Sequence, residues 1–151
     1  MAESVRLYDL VKESFLLLDF GDRLFLERFG LTVPRYYVLT HVANEPGLSP
    51  SVLSRYMFCD KSNITRLVRG LQSNGLVERR PHEQDGRTHR LFLTAAGAAL
   101  YEQSSRAHRH YVEARLQSLE PDGAEQLTQI LTHLNRALTA ALDNTPERSP
   151  I

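Results

Sequence analysis

Polar and basic side chains are concentrated on one face of a predicted helix in the middle of the chain. On a helix that begins near Lys61, they follow the spacing of three and four that brings side chains onto a common face. Side chains of these types donate hydrogen bonds to base edges and neutralise phosphates. In this helix and the short helix before it, the expected DNA contacts are Ser51, Arg55, Lys61, Ser62, Asn63, Thr65, Arg66 and Arg69.

Different chemistry is expected of different residues on this face. Arg66 has the fork geometry to bind a guanine with two hydrogen bonds, and Asn63 has the amide that matches an adenine. Lys61 and Arg69 are expected to contact phosphates. The opposite face carries Ile64, Leu67, Val68 and Leu71. This pattern predicts a helix that is fixed by its apolar side and reads DNA with its polar side.

A second basic cluster lies at a turn between two short strand-like segments, residues 76–80 and 90–93. Asp85 and Arg87 are two residues apart at this turn. An ion pair between them is expected to hold Arg87 extended, so that it enters or straddles the minor groove. The alternative is an exposed ion pair that contributes under about 1 kcal/mol and has no other role. The expected DNA contacts of this hairpin are Asp85, Arg87, Thr88 and Arg90.

The charge of the chain is unevenly distributed. The whole sequence has 18 basic and 18 acidic residues and no net charge. Residues 55–90, however, contain eight basic and four acidic residues, so this segment carries +4 and the rest carries −4. Clustered positive charge is typical of a surface that binds nucleic acid, although a solvated surface without a partner remains an alternative.

The elements around these clusters predict a mainly α protein with a small β-hairpin wing. Capping residues and glycine stops indicate six helices, of which the first and the last two are long. We predict a winged helix-turn-helix flanked by N- and C-terminal dimerisation helices. The predicted organisation is a single domain over residues 1–151, with a DNA-binding lobe at 31–97, dimerisation helices at 4–29 and 95–143, and a flexible tail at 144–151.

The flanking helices have more apolar surface than the lobe can cover. The first helix is apolar over much of its circumference, and the last repeats leucine and isoleucine at spacings of three and four. We therefore expect the first, fifth and sixth helices to pack together and against a second subunit, which gives a two-fold dimer. A monomer whose long helices complete their own core is the alternative.

Composition limits the other functional classes. There is one cysteine, Cys59, so neither an internal disulfide framework nor a CxxC motif is possible. No apolar run reaches the roughly 20 residues of a membrane span, and the N-terminus lacks a signal-peptide pattern. We expect a cytoplasmic protein without a cofactor. The sequence contains no Gly-rich phosphate loop, GxSxG or HExxH motif, so an enzyme is not expected.

Together these motifs resemble the MarR family of bacterial transcription regulators, over residues 31–97. The resemblance is carried by Asp60-Lys61-Ser62, Thr65-Arg66-Leu67, Gly75-Leu76-Val77-Glu78-Arg79, Asp85-Gly86-Arg87 and Leu93-Thr94-Ala95-Ala96-Gly97. It implies a homodimer that binds a pseudo-palindromic DNA operator, most simply as a repressor, and that a small molecule or an oxidant releases. Gly86 departs from the pattern, since members often have a second arginine there.

The resemblance also implies an effector site between the dimerisation helices and the lobe. The matching region contains aromatic and histidine side chains that suit a phenolic or aromatic-acid ligand, although aromatic residues at these spacings are more often part of a core. The candidate effector-binding residues are Phe15, Tyr36, Tyr37, His41, His108 and Tyr111.

Other sensing mechanisms and one other function remain open. A redox-responsive regulator would need a reactive thiol, whereas Cys59 is expected to be buried and inert. A metal-responsive regulator would need ligands, but His108 and His110 are two apart on a helix and point away from each other, so no metal site is predicted. A winged helix can also serve as a protein–protein interaction module.

Overall fold

The computed structural model describes residues 2–143, so the predicted tail at 144–151 lies outside the described residues. The helices are α1 (Ala2–Leu26), α2 (Val33–Asn44), α3 (Pro50–Tyr56), α4 (Lys61–Ser73), α5 (Ala95–Leu116) and α6 (Pro121–Asp143). The strands are β1 (Val77–Pro81) and β2 (His89–Leu93). The prediction of a mainly helical winged helix-turn-helix is confirmed.

Capping side chains set the starts of the lobe helices as the sequence predicts. Thr32 accepts the backbone N–H of Arg35 at 3.4 Å at the start of α2. Ser49 accepts that of Val52 at 3.2 Å at the start of α3. Each such bond satisfies a donor that has no partner within its own helix.

The first helix and the first strand differ slightly from the prediction. The α-helix ends at Leu26, and residues Glu27–Phe29 form a short 3-10 helix before Gly30, whose φ is +67°. Strand β1 begins at Val77 and not at Leu76. The N–H of Leu76 instead donates to the carbonyl of Leu71 at 2.9 Å, because Gly75 turns the chain with a φ of +68° to close the end of α4.

A hydrophobic core holds the α2–α4 helices and the hairpin together. The side chains of Leu53, Ile64, Val68, Leu71 and Leu91 are fully buried in it. The two strands are antiparallel, with Val77 opposite Leu93 and Arg79 opposite Leu91. We use the name winged lobe for residues 31–97.

The wing is anchored by backbone hydrogen bonds on one side and by the side chain of Thr94 on the other. Between α2 and α3, the N–H of Gly47 donates to the carbonyl of Leu91 at 2.8 Å, and the N–H of Leu91 donates to that of Leu48 at 3.0 Å. At the start of α5, Thr94 donates its hydroxyl to the carbonyl of Gly75 at 2.6 Å and accepts the N–H of Gly97 at 3.0 Å. These bonds fix the base of the hairpin relative to α4.

The chain divides into two compact units, one ending at His108 and the other beginning at Arg109. The first contains the winged lobe and α1. The second contains the end of α5 and all of α6, in which no residue is buried. Within the described residues, no helix combines the length and the apolar character that crossing a membrane requires.

Candidate nucleic-acid interface

Helix α4 begins at an acidic cap that organises its first turn. The carboxylate of Asp60 accepts the hydroxyl of Ser62 at 2.6 Å and the backbone N–H of Asn63 at 2.8 Å. These two hydrogen bonds hold the pKa of Asp60 below its usual range. The cap fixes the position of the N-terminal turn, where helix-turn-helix proteins contact base edges.

The polar face of α4 is open to solvent. Lys61, Ser62, Arg66 and Arg69 are exposed, while Asn63 and Thr65 are partly exposed. The opposite face is buried through Ile64, Val68 and Leu71, which are 0% exposed. The amphipathic pattern expected of this helix is therefore present. An exposed helix face with three cations can enter a major groove.

The two side chains expected to read bases are bonded to each other. Arg66 donates from Nη2 to Asn63 Oδ1 at 2.7 Å. Asn63 Nδ2 lies 2.8 Å from the sulfur of Cys59, which completes a chain of three side chains. To contact bases, Arg66 and Asn63 must exchange this mutual hydrogen bond for bonds to DNA. Their role in base reading therefore stays a prediction.

Helix α3 presents its two candidate residues on one side. Ser51 and Arg55 are both exposed and are four residues apart, so they lie on the same face. Thr65 of α4 has its hydroxyl engaged within its own helix, since it donates to the carbonyl of Lys61 at 2.8 Å. Contact of Ser51 and Arg55 with DNA stays a prediction.

The tip of the wing is a tight turn organised by Asp85. Its carboxylate accepts the backbone N–H of Arg87 at 3.0 Å, and its carbonyl accepts both the N–H and the hydroxyl of Thr88, each at 3.1 Å. In the described part of the chain, no ion pair joins the side chains of Asp85 and Arg87. The expected ion pair is therefore wrong, because the carboxylate is used by the backbone of the turn. The guanidinium of Arg87 is left exposed at the tip.

Two further arginines, Arg80 and Arg90, are held against the hairpin. Arg90 Nη2 lies 2.9 Å from His82 Nε2. Arg80 pairs with Glu78, and its guanidinium lies 4.2 Å from the centre of the Phe92 ring. Among these three arginines, Arg87 is the one for which the described residues provide no side-chain partner.

A cavity of about 500 Å³ lies between α1 and the winged lobe. Phe15 and Tyr37, two of the six candidate effector residues, line it. Its other lining residues were not among the candidate effector residues: Asp19, Arg23, Glu27, Leu31, Thr32, Val33, Pro34, Met57, Cys59, Asn63 and Leu67. The spacing of four from Phe15 through Asp19 and Arg23 to Glu27 is the signal that could have found the α1 wall.

The remaining candidate effector residues are placed elsewhere. His108 joins α1 and α2, since its Nε2 lies 3.0 Å from Asp22 Oδ1 and its Nδ1 lies 3.4 Å from the hydroxyl of Tyr36. The His41 ring packs against Tyr56, with ring centres 5.4 Å apart. Tyr111 belongs to the second unit, where its hydroxyl accepts Arg115 Nη1 at 2.7 Å.

Burial affects the tyrosines of this region. Burial raises the pKa of Tyr36, and partial burial raises that of Tyr37, because a phenolate loses solvation beside other protein groups. Both hydroxyls are therefore neutral at physiological pH and can act as hydrogen-bond donors. Tyr37 can offer this donor to the cavity that it lines.

Cys59 is more accessible than the sequence suggests. It was expected to be buried, but its side chain is partly exposed and lines the cavity. Its position in the turn before α4 places it at the edge of the core.

Among residues 2–143, no group of three or more His, Cys, Asp or Glu side chains is arranged to hold a metal ion.

Comparisons with known proteins point to one family. Residues 29–88 match a model of the MarR family. The HTH-type transcriptional regulator BilQ of Clostridium symbiosum is 28% identical over 117 residues, which are 78% of this chain and 81% of BilQ. The HTH-type transcriptional regulator PrsX of Escherichia coli is 30% identical over 122 residues, which are 80% of this chain and 71% of PrsX.

A solved structure extends the likeness to most of the chain. A crystal structure of a mutant MarR from E. coli complexed with operator DNA matches with a TM-score of 0.81 and 25% sequence identity. The match covers 87% of this chain and 95% of that one. It therefore extends beyond the winged lobe into the flanking helices.

Proposed function

Because the chain belongs to the MarR family of transcription regulators, we propose that it acts in the cytoplasm as a homodimeric repressor of a pseudo-palindromic operator, from which a small aromatic effector releases it. Members of this family are DNA-binding transcription regulators and not enzymes. The observation that carries the proposal is the exposed polar face of α4 beside an exposed wing arginine.

In this proposal the winged lobe contacts DNA at three places. Helix α4 lies in the major groove, with Asn63 and Arg66 at the bases and Lys61 and Arg69 at phosphates. Ser51 and Arg55 of α3 contact the adjacent backbone. Arg87 reaches the minor groove, where the negative potential is strongest.

The homodimer is supported by apolar side chains that the chain itself leaves uncovered. In α1, Leu16 is 61% exposed and Phe15 is 58% exposed. In α6, Ile130 is 63% exposed and Leu138 is 54% exposed. Burial of such side chains contributes about 1.5–3 kcal/mol each, so a second copy would stabilise both helices. In the resulting dimer, two α4 helices about 34 Å apart would meet successive major grooves.

The effector proposal rests on the cavity beside α4. Phe15 and Tyr37 provide aromatic walls, and the charged lining residues are Asp19, Glu27 and Arg23, which sum to one negative charge. A net negative lining favours phenols or aromatic amines over aromatic carboxylates. The cavity also reaches Asn63, whose side chain holds Arg66. A ligand that binds the Asn63 amide would occupy a group that must turn towards a base, and would therefore weaken DNA binding.

Binding of the purified protein to the DNA upstream of its own gene tests the regulator proposal. We expect the affinity to fall steeply as salt rises, because phosphate contacts release counterions. Arg66→Ala should weaken binding at least about tenfold. The exposed Arg106 on α5 lies outside the winged lobe, so Arg106→Ala is the matched control and should bind like the wild type. Equal binding by both variants would contradict the role of α4.

The effector proposal has its own test. Calorimetric titration with phenol, aniline and benzoate should show binding of the first two and weaker or no binding of benzoate. Tyr37→Ala should abolish this binding, whereas Tyr8→Ala on the exposed part of α1 should not. Release of the operator by the same ligands is the functional measure. If Tyr37→Ala binds the three ligands as the wild type does, this cavity is excluded as the effector site.

A further inference from the structure

Arg35 reaches the DNA-reading helix from a neighbouring helix. It lies in the first turn of α2, which packs against α4. Its guanidinium lies over Gly70: a methyl group at residue 70 would be 2.8 Å from Arg35 Nη2 and 3.6 Å from its Cζ. The missing side chain of Gly70 therefore leaves the space that the guanidinium occupies.

The position of Gly70 places this guanidinium at the edge of the proposed DNA-binding face. Gly70 follows Arg66 by four residues, so the two lie on the same side of α4, one turn apart. Asn63 and Ser73 continue that line of residues at spacings of three and four. Arg35 thus places a cation beside Gly70, the position of α4 that has no side chain of its own.

The charge of Arg35 is available for a partner. Its side chain is partly exposed, and it takes part in none of the ion pairs among residues 2–143. Glycine is also an unfavourable residue in the interior of a helix, where alanine is preferred. An arginine without an ion-pair partner is available to a phosphate oxygen, and the helix glycine beside it leaves room for its guanidinium.

We propose that Arg35 contacts a DNA phosphate at the wall of the groove that α4 enters, and that Gly70 gives its guanidinium access to that position. The inference rests on the proposed binding of α4 to DNA and adds a contact from outside the helix-turn-helix. The guanidinium fork suits a phosphate oxygen pair better than a lysine ammonium does. Sequence reasoning missed Arg35 because its helix precedes the basic segment.

Operator binding by variants of these two residues tests the proposal. Arg35→Ala should weaken binding about tenfold and lower the slope of log K against log salt by about 0.9 for each phosphate that is no longer neutralised. Arg35→Lys should recover much of the slope, because the charge remains. Gly70→Ala keeps the arginine and improves the helix, so it should raise the thermal midpoint and yet weaken binding by displacing the guanidinium.

A double-mutant cycle separates displacement of Arg35 from a direct clash of the new methyl group with DNA. If Gly70→Ala acts through Arg35, it should have no further effect on affinity in an Arg35→Ala background. Full additivity of the two losses would overturn the role assigned to Gly70.

The same measurements distinguish this inference from the proposed function. If Arg66→Ala loses binding while Arg35→Ala and Gly70→Ala bind like the wild type with an unchanged salt slope, only the Arg35 proposal is overturned. If Arg66→Ala also binds like the wild type, the proposed function itself fails. Should Arg35→Ala fold poorly, Gly70→Ala decides the question, since the methyl group meets only the end of a flexible side chain.

Discussion

The winged lobe and the long flanking helices are both rich in apolar residues, but they use them differently. In the lobe, large side chains such as Leu39, Leu53 and Leu91 are fully buried. In α1 and α6, side chains of the same size, such as Leu16 and Ile130, are more than half exposed. The lobe thus buries most of its large aliphatic side chains, although Phe58 on its surface is 70% exposed, whereas α1 and α6 expose most of theirs.

This difference assigns separate tasks to the two regions. In the lobe, capping, core packing and the anchored hairpin set the positions of α4 and Arg87. In the proposed homodimer, the flanking helices join two such units. Changes in the flanking helices should therefore act on DNA binding through assembly, and changes in the lobe should act through stability or through the DNA-binding side chains.

The largest effect is expected when the flanking helices are prevented from pairing. Leu16→Asp combined with Ile130→Asp places two charges on the exposed apolar faces, where burial of a charge costs several kcal/mol. The particle mass measured by light scattering should fall to the 17.2 kDa of one chain, and operator affinity should fall more than about 100-fold. Gln129→Asp, on a polar position of α6, is the control. If the wild-type protein is itself a monomer, the role of the flanking helices in pairing is contradicted.

A smaller effect is expected from Gly97→Ala, which disturbs the lobe at the start of α5. A methyl group at residue 97 would lie 1.9 Å from the carbonyl oxygen of Leu76, so the backbone must shift. We expect the free energy of unfolding to fall by about 2 kcal/mol, as measured by urea denaturation. Gly123→Ala in α6, where a methyl group meets nothing within 4 Å, should cause no loss. Equal stability of both variants would contradict the close packing at Gly97.

Within the lobe, the wing should affect DNA affinity more through its tip than through its base. Arg87→Ala should weaken operator binding about fivefold to tenfold and reduce the salt slope, because it removes an exposed cation from the phosphates or the minor groove. Arg80→Ala should have a smaller effect, since that guanidinium is already paired with Glu78 and stacked on Phe92. Fluorescence anisotropy at fixed salt compares the two. Unchanged affinity of Arg87→Ala would exclude the wing from the interface.

The smallest effect concerns the pH dependence of the α4 cap. Hydrogen bonds from Ser62 and Asn63 depress the pKa of Asp60, so its contribution to stability is present above the unfolded-state value near 3.8. It is lost as the pH falls through the lower, folded-state pKa. Asp60→Asn keeps a capping oxygen without this titration. The difference in thermal midpoint between the wild type and Asp60→Asn should therefore shrink between pH 6 and pH 3, and a constant difference would contradict the role of the carboxylate.

Local patterns determined which parts of the molecule were predictable from sequence. Thr32, Ser49 and Asp60 each precede a helix that they cap, and the period of the buried residues Ile64, Val68 and Leu71 defines the orientation of α4. These signals lie within a few residues of each other. The fold class and the start of α4 followed from them.

Features that depend on distant contacts or on competition for one atom were not predictable. Asp85 can bind either the guanidinium or the backbone of Arg87, and only the geometry of the turn favours the backbone. The approach of Arg35 to Gly70 joins residues of two helices with no shared motif. The α1 wall of the cavity likewise needs the packing of α1 beside the lobe.

A hydroxyl-radical footprint on the DNA upstream of the gene tests most directly whether paired lobes read one operator. Two lobes joined by their flanking helices should protect two blocks whose centres are about 10 base pairs apart, corresponding to roughly one helical turn. Leu16→Asp with Ile130→Asp should lose both blocks together. A single protected block in the wild type, or two blocks that survive in this variant, would contradict the pairing of two lobes on one operator.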